Sequence, residues 1–379
     1  HGVKAKKPHR SKDASFWPDQ VFKDAVACLA VLLTVVFLTI WFHGAPLADP
    51  ADPSDPYAAA RPEWYFLFLF QLLKYFPGQW TIVGSLVIPG IVVLWMFAKP
   101  FIAKEKKGHR FNVWALWGLL LGVVSLTWLA IQEDRSKLMF QASVSESERR
   151  SERVKELAKL KGIPAQGAVA LLREDPKTQG PRIFASHCSS CHRYDGHDGR
   201  GNLVAEYSSA PDLAGFASRE WVEKLLDHQH FVSESFFGNT EFVNGKMAKQ
   251  LAKYDEAEKA LVPKVAALLS DLAELPYQKK LSDDEREAGF DVFFDELACI
   301  DCHDIENEDE GSAPDLTGYG SREWLLAFIG DPSHERFYGS KNDRMPSFGR
   351  DNKISAREIE MLVDWLRKDW ISPIGKGDE

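Results

Sequence analysis

Two pentapeptides hold the residues best suited to chemistry: Cys188-Ser189-Ser190-Cys191-His192 and Cys299-Ile300-Asp301-Cys302-His303. Two thiols three positions apart can reach the two vinyl groups of one porphyrin, and the histidine behind the second thiol then lies under the iron as proximal ligand. Each pentapeptide therefore reads as the attachment site of a covalent c-type haem, two haems in all, with His192 and His303 on the irons. A zinc site would need further Cys or His ligands nearby. A disulfide framework would not set a histidine directly behind each pair. The fifth cysteine, Cys28, is alone in an apolar run and is expected to be a buried structural residue.

A sixth iron ligand is sought downstream. Met345, in Arg344-Met345-Pro346, follows the second pentapeptide by about forty residues. Met247, in Gly245-Lys246-Met247, occupies the corresponding place after the first, with His228 or His230 as alternatives there. A thioether ligand raises the reduction potential relative to two imidazoles. Met361 belongs to an amphipathic terminal helix, Ser355–Trp370, and reads as core.

Both pentapeptides sit in an internal repeat. Ala210-Pro211-Asp212-Leu213-Ala214-Gly215-Phe216-Ala217-Ser218-Arg219-Glu220-Trp221 returns as Ala313-Pro314-Asp315-Leu316-Thr317-Gly318-Tyr319-Gly320-Ser321-Arg322-Glu323-Trp324, and Phe237-Gly238 returns as Tyr338-Gly339. The C-terminal part is therefore a duplicated domain of helices joined by Gly/Pro-rich loops, the copies meeting near Leu281.

The elements upstream place this repeat in a cell. Ala25–Phe42, Thr81–Ala98 and Phe111–Gln132 are uncharged for 18, 18 and 22 residues, and a membrane-crossing helix needs about 20 apolar ones. Lys4, Lys6, Lys7, Arg10 and Lys12 precede the first run, and Lys99, Lys104, Lys106, Lys107 and Arg110 lie between the second and third. The long loop between runs one and two carries only Arg61 and Lys74. The positive-inside rule then puts the N-terminus in the cytoplasm and the haem repeat outside. The chain opens on His1 rather than Met, so it is expected to begin inside a longer gene product, and no cleavable signal peptide is legible.

Charge divides the chain the same way. Residues 1–132 hold 13 Lys and Arg against 8 Asp and Glu, whereas the remainder holds 33 against 47. The acidic, water-soluble part is unsuited to nucleic acid, which selects basic surfaces; its charge suits a basic protein partner or serves simply to keep it in solution.

Within the outer loop, Pro62-Glu63-Trp64-Tyr65 opens an apolar stretch ending near Phe76, a helix candidate too short to span and expected to be interfacial or covered by protein. Pro62 suits its first turn, with Glu63 beside it. A carboxylate leading such a segment would be partly desolvated, as a proton acceptor requires.

The order of three spans, Phe16-Trp17-Pro18-Asp19 before the first, the Ala45-Pro46-Leu47 and Ala51-Asp52-Pro53 turn, and Pro62-Glu63-Trp64-Tyr65 resemble the C-terminal half of cytochrome b, equivalently subunit IV of plastoquinol–plastocyanin reductase. Joined to a haem c part, the whole resembles the cytochrome b/c subunit of bacterial menaquinol–cytochrome c reductases. The anchor resemblance covers about residues 14–132, and residues 177–372 resemble class I cytochrome c domains, two rather than the familiar one. The resemblance implies that Glu63 helps take protons from quinol at an outer oxidation site shaped by Tyr65, with Pro62 and Trp64 completing the motif. It implies a separate partner, the N-terminal half of cytochrome b, holding the b haems, since only His43 and His109 flank the apolar runs here. It further implies a Rieske iron–sulfur protein, menaquinol as the favoured quinol, a cytochrome c or oxidase as acceptor, and a dimeric complex.

The expected fold is all-α: a three-helix transmembrane anchor (1–132), a charged linker (133–176) containing a solvated helix over 146–160, and two tandem class I cytochrome c domains (177–280 and 281–379). The expected function is a subunit of a quinol–cytochrome c reductase in a bacterial cytoplasmic membrane, releasing protons outside. The alternative is a membrane-tethered dihaem carrier or terminal-oxidase subunit without a quinol site, for which one span and no apolar outer segment would suffice.

Overall fold

A computed structural model describes residues 15–42, 48–53, 60–102, 106–204, 207–305, 311–342 and 344–371. Lys4, Lys6, Lys7, Arg10, Lys12, Lys104 and the Ala45-Pro46-Leu47 turn lie outside the described residues. The chain divides into two compact units, His1–Glu152 and Arg153–Glu379.

In the first unit the helices are α1 (Val21–Trp41), α2 (Leu67–Lys74), α3 (Ile88–Ile102) and α4 (Lys106–Ser136), followed by α5 (Leu138–Lys161). Among the described residues, three helical stretches have the length and composition to cross a membrane: Phe16–Trp41, Gly78–Lys99 and Gly108–Ser136, of 26, 22 and 29 residues. At about 1.5 Å per residue each exceeds the ~30 Å of a hydrocarbon core. They overrun the uncharged runs of the sequence because polar ends such as Glu133 and Asp134 stay helical. The short α2 forms as expected and packs along α4. Cys28 departs from expectation: it is exposed, because no residue of α1 is buried. A helix so uniformly apolar offers that surface to lipid or to another subunit.

The charged stretch read as a linker is more ordered than its composition implied. α5 runs on to Lys161, where Gly162 takes a left-handed φ of +75° that favours glycine and ends the helix. Val154 and Leu157 are buried against Leu172 of α6 (Val169–Arg173). Arg153 grips Asp175 through two nitrogens, at 3.1 and 2.6 Å, with both side chains buried. Asp175 also accepts from the Thr178 backbone N–H and hydroxyl, capping the next helix. Asp175→Ala would strand a buried guanidinium and uncap that helix. We expect it to lower the unfolding free energy of the haem-bearing part by about 3–5 kcal/mol, read as a lower denaturant midpoint in the full chain.

The second unit continues with α7 (Pro176–His187), α8 (Arg219–Leu225), α9 (His228–Phe231), α10 (Lys246–Leu251), α11 (Glu256–Leu272), α12 (Asp283–Asp291), α13 (Arg322–Gly330) and α14 (Ala356–Leu366). No β-strand occurs among the described residues. The repeat is visible in its caps: Ser218 accepts from the Trp221 N–H to start α8, and Ser321 from the Trp324 N–H to start α13. Capping boxes open α11, α12 and α14 at Asp255, Ser282 and Ser355. Met361 is buried on the core face of α14.

The packing crosses the boundary at Leu281. The first helix of copy one, α7, packs on the last helix of copy two, α14, while α11 of copy one packs on α12 of copy two. Glycines mark both crossings. A Cβ at Gly180 would stand 2.2 Å from Trp365 Cβ, and one at Gly289 2.9 Å from Leu268 Cβ. Between them, Phe216 packs on Tyr319 at 5.7 Å and on Trp324 at 6.5 Å between ring centroids.

Candidate haem pocket and membrane-surface segment

In both copies the carbonyl of the repeated proline accepts from the histidine. His192 Nδ1 lies 2.7 Å from Pro211 O, and His303 Nδ1 2.8 Å from Pro314 O. This fixes each ring and leaves Nε2 as the nitrogen available to a metal. Burial pushes the pKa of both imidazoles down, keeping them neutral, the form that coordinates iron. The loop is held in turn by the repeated tryptophan: Trp221 Nε1 donates to Asp212 O at 2.8 Å and Trp324 Nε1 to Asp315 O at 3.0 Å. The sequence repeat showed that these residues recur; that they orient the histidines emerges only from the geometry.

His192 and His303 open into one cavity of about 880 Å³, together with Cys188, Cys191, Met247 and Met345. Its walls are largely apolar, with Phe184, Leu213, Phe231, Phe328 and Leu362 among them. Cys299 and Cys302 lie beside His303, half-buried but not on the cavity wall. The four thiols are unpaired. An apolar slot carrying fixed imidazoles, thioethers and thiols fits iron porphyrin, whose faces are apolar and whose iron takes nitrogen and sulfur. His228 and His230 are absent from the wall, and His230 Nδ1 is 2.7 Å from Asp227 Oδ2. Of the candidates for sixth ligand, only the two methionines face the space.

Burial raises the Cys188 thiol to about 12 and the Cys299 thiol to about 11. In the closed fold these thiols stay protonated and enclosed.

The segment opened by Pro62-Glu63-Trp64-Tyr65 is built differently. Glu63 precedes a single 3₁₀ turn, Trp64–Phe66, whose Phe66 N–H donates to Glu63 O at 2.8 Å. Glu63, Trp64 and Tyr65 are exposed, Pro62 half-buried, and Trp64 and Tyr65 meet edge to face at 5.5 Å. Its flanks are clamped to the end of the third span. Arg61 Nε and Nη2 reach Asp134 at 3.0 and 2.8 Å, with the guanidinium over Phe140, and Lys74 reaches Glu133 at 3.0 Å. By sequence alone Arg61 and Lys74 stand out only as sparse outer charges. The signal available was the acidic pair Glu133-Asp134 closing the third apolar run.

An apolar three-span unit with a clamped surface segment, followed by a duplicated imidazole–thiol pocket, defines a membrane-anchored electron-transfer protein. Residues 50–146 match the family described as cytochrome b(C-terminal)/b6/petD, and residues 178–288 match cytochrome c. The chain thus joins a domain matching the C-terminal part of cytochrome b to a domain matching cytochrome c, a match that implies covalent haem c. It is 28% identical over 229 residues to the menaquinol:cytochrome c reductase cytochrome c subunit of Geobacillus thermodenitrificans, covering 56% of this chain and 82% of that one. To the subunit of the same name from Bacillus subtilis (strain 168) it is 31% identical over 160 residues, 37% of this chain and 62% of the relative. Cytochrome b of Chlamydomonas reinhardtii is 35% identical over 120 residues, 29% of this chain and 30% of that one. No solved structure matches the chain.

Proposed function

We propose that this chain is the fused cytochrome b/c subunit of a quinol–cytochrome c reductase, with quinol oxidised beside Glu63 at the outer membrane surface and electrons leaving through two c haems. The observation that carries this reading is the union, in one chain, of the clamped Pro62-Glu63-Trp64-Tyr65 segment with the duplicated haem pocket. The names of the Geobacillus and Bacillus relatives support menaquinol as substrate and cytochrome c as acceptor.

The excess of Lys and Arg before the first span and between the second and third supports a cytoplasmic N-terminus, so Glu63 and both pentapeptides face outward. The fused b domain retains three spans and has no histidine within its uncharged runs. The b haems therefore reside on a separate cytochrome b partner, and a Rieske iron–sulfur protein takes the first electron, in a complex expected to be dimeric. Arg61 and Lys74 hold the segment by its ends on α4, leaving Glu63 exposed to receive a quinol hydroxyl proton and pass it outward. Tyr65 and Trp64 offer aromatic faces for the quinol ring. Bound haem supplies one-electron transfer through its iron.

The test is Glu63→Gln in the complex purified with its native partners. Quinol oxidation is expected to fall about 100-fold with b-type haem, Rieske signal and c-haem content unchanged. Unimpaired turnover would remove Glu63 as proton acceptor. Copurification of the chain without b-type haem and Rieske protein would overturn the reductase assignment.

A further inference from the structure

We propose that each haem iron is coordinated across the repeat boundary: Met345 of the second copy serves the iron held by His192, and Met247 of the first copy serves the iron held by His303. Sequence order alone would pair each methionine with the pentapeptide before it. The packing pairs it with the other. The proposal rests on the reading that both pentapeptides carry haem.

The first half of the argument concerns Met345. Its backbone is tied to the second copy, since Asn342 Nδ2 donates to Met345 O at 2.8 Å and Gly349 N donates to Gly330 O at 3.0 Å. Met345 is therefore fixed to the block formed by α13 and α14. That block stands against the first pentapeptide. Phe348, three residues past Met345, has its ring 6.5 Å from that of His187, the residue before Cys188. Tyr194, two residues past His192, stacks on Trp365 of α14 at 4.4 Å. Gly180 of α7 is pressed on the same tryptophan.

The second half mirrors it. Met247 lies in α10, and its chain leads through Tyr254 into α11. Tyr254 is buried in the core against which Cys299 packs. α11 packs on α12 and on the helical turn Val292–Glu296 that delivers the second pentapeptide. Gly289 of α12 is pressed on Leu268 of α11. Self-closed copies would instead join α7 to α11 and α12 to α14. Neither pair is a substantial contact among the described residues.

On this reading neither copy is a complete haem domain: each contributes the imidazole and thiols of one site and the thioether of the other. Both sites open into the same cavity, placing the two haems next to each other.

The experiment marks one haem without removing it. In Cys299→Ala the second haem keeps one thioether, through Cys302, and one free vinyl group, which moves its α-band to longer wavelength. In that background of the full chain, Met247→Ala and Met345→Ala are each titrated potentiometrically at both α-bands. The red charge-transfer band of thioether-ligated ferric iron is followed in parallel. Cross-ligation predicts that Met247→Ala lowers the potential of the marked haem alone, Met345→Ala that of the unmarked haem alone, and each halves the charge-transfer band. A methionine variant that shifts the haem of its own copy, alone or with the other, overturns the proposal, as does a shift in neither. The reciprocal mark, Cys188→Ala, supplies the same readout from the other side should the first variant mature poorly. Pyridine-haemochrome analysis, expected to give two haems per chain, separates failure of cross-ligation from failure of the dihaem reading.

Discussion

Removing both thiols of the second pentapeptide, Cys299→Ala with Cys302→Ala, is expected to leave one covalent haem per chain in place of two. The reasoning is local. His303 alone can bind iron but cannot hold porphyrin through denaturation, and Cys188 and Cys191 are engaged by the first haem. Haem stain after denaturing electrophoresis and the pyridine haemochrome per polypeptide should both halve. Two haems remaining, or one in the unaltered chain, would refute the second attachment site. The effect should also spread. One cavity of about 880 Å³ serves both pentapeptides, so the missing porphyrin opens an apolar void beside the occupied site. Voids in packed interiors destabilise in proportion to their volume, by about 24 cal/mol per Å³. A porphyrin-sized loss, about half of that cavity, would cost about 11 kcal/mol, comparable to the whole margin of an ordinary domain, ~5–15 kcal/mol, unless the walls collapse. We therefore expect the single-haem protein to unfold at markedly lower denaturant and to lose absorbance from its remaining haem in the same transition.

What was legible in the sequence was whatever chemistry or periodicity is written in neighbouring residues. The thiols and histidine of each pentapeptide lie within five positions, so type and spacing alone suggest haem attachment, and the cytochrome c match over residues 178–288 supports it for the first. The three spans need only length and apolar composition, and only their ends were missed, since Glu133 and Asp134 stay helical while pairing with Lys74 and Arg61. That clamp was not legible: Arg61 and Asp134 are 73 positions apart, and no local pattern links them. Cys28 was misread for a related reason, because an apolar environment for a spanning helix can be lipid as readily as protein. The crosswise packing was illegible for a deeper reason. The two copies carry the same kinds of helix with the same glycine-to-bulky-residue contacts, so Gly180 could meet Leu268 or Trp365 by pattern alone. Only the contacts themselves choose.

That choice yields the second large effect. Gly180→Ala is expected to destabilise the haem-bearing part severely while still allowing it to fold, whereas Gly289→Ala, at the symmetry-related crossing, should be far milder. The new methyl at 180 would stand 2.2 Å from Trp365 Cβ and 2.3 Å from Trp365 Cγ. Rotating the indole cannot relieve this, because Cβ moves only with the backbone of α14. That helix is held by its capping box at Ser355, and just beyond its end Arg367 donates to the carbonyls of Ala273 and Gly320 at 2.6 Å each. At 289 the nearest atom is 2.9 Å away and the next 3.4 Å, so a slight outward shift of α12 suffices. Overpacked cores ordinarily lose about 1–3 kcal/mol. Gly180→Ala should exceed that range because two helices must separate. The diagnostic comparison is a double-mutant cycle with Trp365→Ala. That variant retains Cβ but loses the indole that fills the space between α7 and α14, so it loosens the pair, and alone should cost about 3–5 kcal/mol. If α7 rests on α14, the double variant should be less destabilised than the sum, since α14 can then shift away from the new methyl. Simple additivity in holoprotein unfolding would mean that the two helices do not meet and that each copy closes on itself.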